Sequence, residues 1–128
     1  MAYNILVVDD SRIVRTVVSK TLHLTGIDIG EIFEAENGQE ALERLENHWI
    51  DIVFADINMP VMNGEEMVEI MAQQKMLDET PVVIISTDRS VTRIEKLLSK
   101  GVRAYLNKPF TPESVRAVSY THLTLPTN

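Results

Sequence analysis

Cysteine is absent from this 128-residue chain, so neither a disulfide framework nor a thiolate metal site can be built. That agrees with a reducing compartment, and the cytoplasm is the expected location. Basic charge is in deficit: 12 Lys and Arg stand against 19 Asp and Glu, a net charge of −7. An acidic surface argues against direct grip on a nucleic-acid backbone. Long hydrophobic runs are missing as well. The apolar stretch Ile5 to Val8 is far too short for a signal sequence or membrane span, and Met1-Ala2-Tyr3-Asn4 carries no basic region before it. No membrane or nucleic-acid partner is expected. Repeats, low-complexity segments and interior linkers are also lacking, and the length suits one domain with one core. Histidine is sparse: His23, His48 and His122 are scattered and form no cluster with metal-ligand spacing. The single tryptophan, Trp49, sits before the third apolar run and is expected to pack.

The chain does contain a regular alternation. Short apolar runs occur at Ile5–Val8, Ile32–Ala35, Ile50–Ala55, Val82–Ile85 and Val102–Leu106. Between them lie segments of helical period. Residues 11–24 place Ile13, Val14, Val17, Val18 and Leu22 on one face, and 39–47 gather Ala41, Leu42 and Leu45. Residues 65–76 turn Met67, Val68, Ile70 and Met71 inward, and 90–100 turn Val91, Ile94, Leu97 and Leu98 inward. Met67, Met71 and Met76 read as core filler, and Asn63-Gly64 as the turn into the third helix. The glutamates at 40, 43, 46, 65, 66 and 69 read as solvated helix faces. Strands alternating with helices imply right-handed crossovers and a parallel sheet. Runs one, three and four are almost wholly apolar, as central strands covered on both faces must be. Runs two and five carry Glu34 and Arg103 and are expected at the edges. The doubly wound order 2-1-3-4-5 satisfies this, although other orders remain compatible with the pattern.

In such a sheet, ligands gather at the carboxyl ends of the strands. There this sequence places Asp9 and Asp10 after run one, Asp56 after run three, Ser86 with Thr87 and Asp88 after run four, and Lys108 after run five. Each alone has an ordinary reading: a helix cap, a turn aspartate, a strand-ending serine, a solvated lysine. Together they are harder to dismiss. Neighbouring carboxylates repel and raise one another's pKa unless a cation binds, and all-oxygen ligands suit a hard ion such as Mg²⁺. Lys108 adds a flexible point charge able to meet a phosphoryl group.

The segments Val7-Val8-Asp9-Asp10-Ser11, Asp56-Ile57-Asn58-Met59-Pro60-Val61-Met62-Asn63-Gly64, Ile84-Ile85-Ser86 and Lys108-Pro109-Phe110 resemble the receiver domain of two-component response regulators. The resemblance covers roughly residues 3–118, in the right order and spacing. It implies a flavodoxin-like, five-stranded doubly wound parallel sheet in the order 2-1-3-4-5, with helices on both faces. It also implies Asp56 as the acceptor of a phosphoryl group from a sensor histidine kinase or phosphotransfer protein. Asp10, Asp56 and the backbone carbonyl of Asn58 would bind Mg²⁺, with Asp9 acting through water. Lys108 would contact Asp56 at rest and the phosphoryl group afterwards. Ser86 would bond the phosphoryl group, and Tyr105 would rotate inward when Ser86 moves. Asn58, Thr87 and Asp88 would tune turnover. The output would be a surface of the fourth helix, fifth strand and fifth helix, read by an effector protein or an attached output domain. Such a chain is a signalling acceptor, not a turnover enzyme. Other classes fit less well. A flavodoxin-like electron carrier wants a hydroxyl- and glycine-rich loop where Asp9-Asp10 stand. A Mg²⁺-dependent phosphohydrolase with an aspartate nucleophile wants a second acid where Asn58 stands. A pseudo-receiver that only docks partners has no need of the full acid, hydroxyl and lysine set.

The C-terminus departs from the pattern. A fifth helix is expected to begin at Thr111, with Pro112 in its first turn and Val115 and Val118 starting an apolar face. From Ser119 onward the threonines and Pro126 are poor helix material, and the string resembles a translated cloning adaptor. The expected domain is therefore residues 1–118, with a short last helix and an atypical, non-native tail over 119–128.

Overall fold

The computed structural model describes residues 2–123. Five strands, β1 (Tyr3–Val8), β2 (Ile29–Ala35), β3 (Ile52–Ala55), β4 (Val82–Ser86) and β5 (Ala104–Asn107), alternate with five helices. The helices are α1 (Arg12–His23), α2 (Gly38–Asn47), α3 (Gly64–Gln73), α4 (Val91–Lys100) and α5 (Pro112–His122). All strand pairs are parallel and their order is β2-β1-β3-β4-β5, the order the resemblance implied, with the three apolar runs at the centre. β1, β3 and β4 are buried almost throughout, whereas β2 and β5 are partly exposed edges. Side chains alternate across a strand, so each central strand serves two cores. Leu6, Val8, Val53, Ala55 and Ile84 face Ala41, Met67, Val68, Met71 and Leu97 from α2, α3 and α4. Ile5, Val7, Ile52, Phe54 and Ile85 face Val18, Leu22 and Val115 from α1 and α5.

Each helix starts on a side chain that accepts a backbone N–H of its first turn: Ser11, Asn37, Asn63, Ser90 and Thr111. These caps fix where the chain leaves each strand end, and so where the polar rim sits.

Three packing expectations need correction. In α1 the sheet-facing stripe is Val14, Arg15, Val18 and Leu22, while Ile13 is 77% and Val17 49% exposed. Ile13 and Val17 lie about 100° around the helix from Val14 and Val18, outside the narrow strip that the sheet covers. In α4 only Leu97 is buried; Val91 and Leu98 are exposed, because α4 sits toward the β5 edge beside α3 and has less surface to cover. Trp49 does not pack inward. It is 78% exposed, and its indole N–H donates to the Asp51 carboxylate at 3.0 Å.

The last helix also runs beyond the expected stop at Val118, continuing to His122. The hydroxyls of Ser119 and Thr121 donate back to the carbonyls of Val115 and Ala117, each at 2.8 Å, so their polar atoms are satisfied within the helix. Ser119 is small enough to be fully buried, and Leu123 joins the core beneath α5. The expected tail therefore contributes helix as far as His122, and its remaining residues, 124–128, lie outside the described residues. Among the described residues, no helix is long and apolar enough to cross a membrane.

Candidate functional site

The strand register gathers the rim residues. β1 and β3 pair through Val8 and Ala55, which sets Asp9 and Asp56 side by side just past the ladder. The Asp56 backbone N–H donates to the Val8 carbonyl at 3.0 Å, extending the pairing by one step. Asp9, Asp10 and Asp56 each offer a carboxylate oxygen within 4.8 Å of the others. Their settings differ: Asp9 is 4% exposed, Asp56 partly exposed and Asp10 open to solvent. The competing cap reading is resolved, because Ser11 caps α1 through Val14 N–H, while Asp9 accepts from Ser11 N–H at 2.9 Å.

Lys108 enters from the other side. β4 and β5 pair through Ser86 and Asn107, and the Lys108 N–H donates to the Ser86 carbonyl at 2.9 Å. Its ammonium lies 3.3 Å from Asp9 Oδ2 and 3.6 Å from Asp56 Oδ2. One cation thus faces two of three clustered carboxylates, which leaves negative charge to be balanced. An all-oxygen donor set in this arrangement fits a hard divalent cation.

Ser86 is buried at the end of β4, and its hydroxyl accepts the Asp88 N–H at 3.1 Å. Asp88 is held further: its carboxylate accepts from Ser90 N–H at 2.8 Å and from Arg93 at 2.6 Å, and these contacts keep it below the usual carboxylate range. Tyr105, whose phenol pKa burial raises, donates its hydroxyl to the Asp88 carbonyl at 2.6 Å. This hydrogen bond ties β5 to the loop that follows β4. Thr87 is exposed beside Ser86, and Asn58 is exposed in the β3–α3 loop.

Several supporting residues escaped sequence reasoning. Arg15 is 7% exposed; it donates to the Asp9 carbonyl at 2.6 Å and pairs with Glu34 at 2.8 Å, fixing Asp9 from behind. A basic residue within an amphipathic helix reads as a solvated one, so only the packed fold reveals it. Gly64 marks a close approach: a Cβ there would stand 2.4 Å from the Asp56 carbonyl oxygen. Asn63 caps α3 in a reciprocal box with Glu66, as the Asn63-Gly64 pair hinted. Glu65 and Glu69 are not merely solvated, since they pair with Arg93 and Lys100 of α4.

Comparison with known proteins agrees with this geometry. A family model described as the response regulator receiver domain matches residues 5–119. A chemotaxis protein CheY homolog of Campylobacter jejuni is 35% identical over 113 residues, covering 88% of this chain and 85% of its own. Chemotaxis protein CheY1 of Helicobacter pylori is also 35% identical, with 88% and 90% covered. Among solved structures, the chemotaxis response regulator CheY4 of Vibrio cholerae superimposes with a TM-score of 0.82 at 32% identity, covering 96% of this chain and all of that one. The sheet order, the acidic rim and these likenesses converge, and the chain belongs to the response regulator receiver domain family of two-component signalling.

Proposed function

We propose that the chain is a phosphorylation switch that accepts a phosphoryl group on Asp56 from a sensor histidine kinase or phosphotransfer protein. The observation that carries this reading is the placement of Asp56 within a ring of two further carboxylates, with one lysine reaching across it. An Asp56 oxygen attacks phosphorus as the phosphorus–nitrogen bond of a phosphohistidine breaks, and the imidazole nitrogen leaves with the electron pair. A carboxylate is a weak nucleophile, so the protein's part is positioning and charge neutralisation. Mg²⁺ would be held by Asp10, Asp56 and the Asn58 carbonyl, with Asp9 acting through water, and would offset charge on the transferring group. Lys108 moves from its shared place between Asp9 and Asp56 to the new phosphoryl oxygens. Ser86 donates its hydroxyl proton to another of them. The added charge of about −2 then biases α4, β5 and α5, the surface read by an effector protein or output domain. Asn58, Thr87 and Asp88 border the path of the water that ends the signal. A phosphohydrolase reading gains no support, because Asn58 stands where the second acid would be needed.

The test is incubation with acetyl phosphate and Mg²⁺ followed by intact mass measurement. One phosphoryl adduct is expected, absent with chelator and absent in Asp56→Asn. An undiminished adduct in that variant overturns the assignment.

A further inference from the structure

Arg93 stands outside the acid pocket and makes no contact with Asp56, yet it ties together the elements around it. Its Nε lies 2.8 Å from Glu65 Oε1 in the first turn of α3, and its Nη1 lies 2.6 Å from Asp88 Oδ2 in the β4–α4 loop. Glu65 directly follows Gly64, the residue pressed against the Asp56 carbonyl. Asp88 is the residue whose N–H is accepted by Ser86 Oγ. One guanidinium therefore spans from the first turn of α3 to the loop that follows Ser86. A planar fork suits this bridge in a way that a lysine point charge does not.

Asp88 is gripped at every polar point. Its N–H goes to Ser86, its carbonyl accepts from Tyr105, and its carboxylate accepts from Ser90 and Arg93. A hydroxyl has two acceptor sites and one proton. While Ser86 Oγ accepts from Asp88, it keeps its own proton to donate. Held at these points, Asp88 fixes the position of the Ser86 hydroxyl oxygen through its own N–H.

We propose that Arg93 is a positioning residue for phosphoryl recognition: by clamping Asp88 to α3 it holds the Ser86 hydroxyl ready to donate to a phosphoryl group on Asp56. This rests on the receiver reading of the same site. The Arg93 side chain is 38% exposed, so solvent screening keeps its effect modest. Arg93→Gln is expected to weaken binding of beryllofluoride, a phosphoryl mimic, by roughly threefold. Mg²⁺ affinity should not change, since none of the acids is touched.

The experiment is a beryllofluoride titration followed by ¹⁹F NMR, with Mg²⁺ affinity measured in parallel, on the wild type, Arg93→Gln, Arg93→Lys, Glu65→Gln and the Arg93→Gln/Glu65→Gln double variant. The proposal expects partial recovery in Arg93→Lys, a smaller loss in Glu65→Gln, and a double variant no worse than Arg93→Gln alone. A wild type that binds beryllofluoride while Arg93→Gln binds it equally or more tightly overturns the inference and leaves the receiver reading standing. A parallel loss of Mg²⁺ affinity in Arg93→Gln and Arg93→Lys also overturns it, by assigning Arg93 a general structural role. A wild type that binds no beryllofluoride overturns both.

Discussion

At the scale of single residues, the pocket is a problem in charge. Asp9, Asp10 and Asp56 lie close together, and Lys108 reaches only Asp9 and Asp56. The residue types were legible in the sequence because each follows an apolar run. Their partners were not, because Arg15 beneath Asp9 and Arg93 beside Asp88 depend on how helices pack. Thr87 provides a test at this scale. It is exposed next to Ser86, and we propose that its methyl narrows the approach to a phosphoryl group on Asp56. Thr87→Ala should shorten the lifetime of the phosphorylated protein, followed by decay of the phosphoryl adduct in intact mass spectra. An equal or longer lifetime counts against a shielding role.

At the scale of elements, the loop from β3 to α3 and the stripe of α1 are the informative pieces. Gly64 leaves no room for a side chain, and its own N–H donates to the Ile57 carbonyl at 2.7 Å. Gly64→Ala should cost about 1–3 kcal/mol in denaturant unfolding, as overpacking does, and should slow acceptance by displacing the Asp56 carbonyl. The α1 pattern carries five apolar residues on a broad face, which is why sequence alone could not say which of them meet the sheet. The fold chooses Val14, Val18 and Leu22. Leu22→Ala should therefore cost about 2–5 kcal/mol, while Ile13→Ser should change stability by no more than about 0.5 kcal/mol. Comparable losses in urea midpoints would refute that stripe. The end of α5 is hard to read for a similar reason: threonine and serine have weak helix propensity, and only the packed fold shows Ser119 and Leu123 buried against the core.

For the whole molecule, the division into central and edge strands was legible because central strands must be apolar on both faces, and this chain has three such runs; the order among them rested on the family resemblance. The linkage between site and stability follows from the fold. Clustered carboxylates that bind a cation only when folded should make Mg²⁺ a stabiliser, by about 2.7 kcal/mol at a hundredfold excess over its dissociation constant. Thermal unfolding with and without chelator reads this directly, and Asp10→Asn should reduce the shift. The α5 end adds a pH term. Burial and the nearby Arg103 hold the His122 imidazole below its ordinary value of 6.5. Near pH 6 the unfolded chain thus binds more protons than the folded one, so stability falls as pH drops through about 6.5 and levels off below the folded pKa. The loss in urea midpoint between pH 7.5 and 5.5 should be smaller in His122→Gln.

Lys108 and Asp9 are 99 residues apart. During synthesis the three acids can come together as soon as β3 pairs with β1, but their built-in counter-charge arrives only with the final strand. A partly made chain therefore exposes a bare acidic nest that repels phosphoryl donors, so competence to receive a signal is expected to be acquired in one late step, when the domain closes.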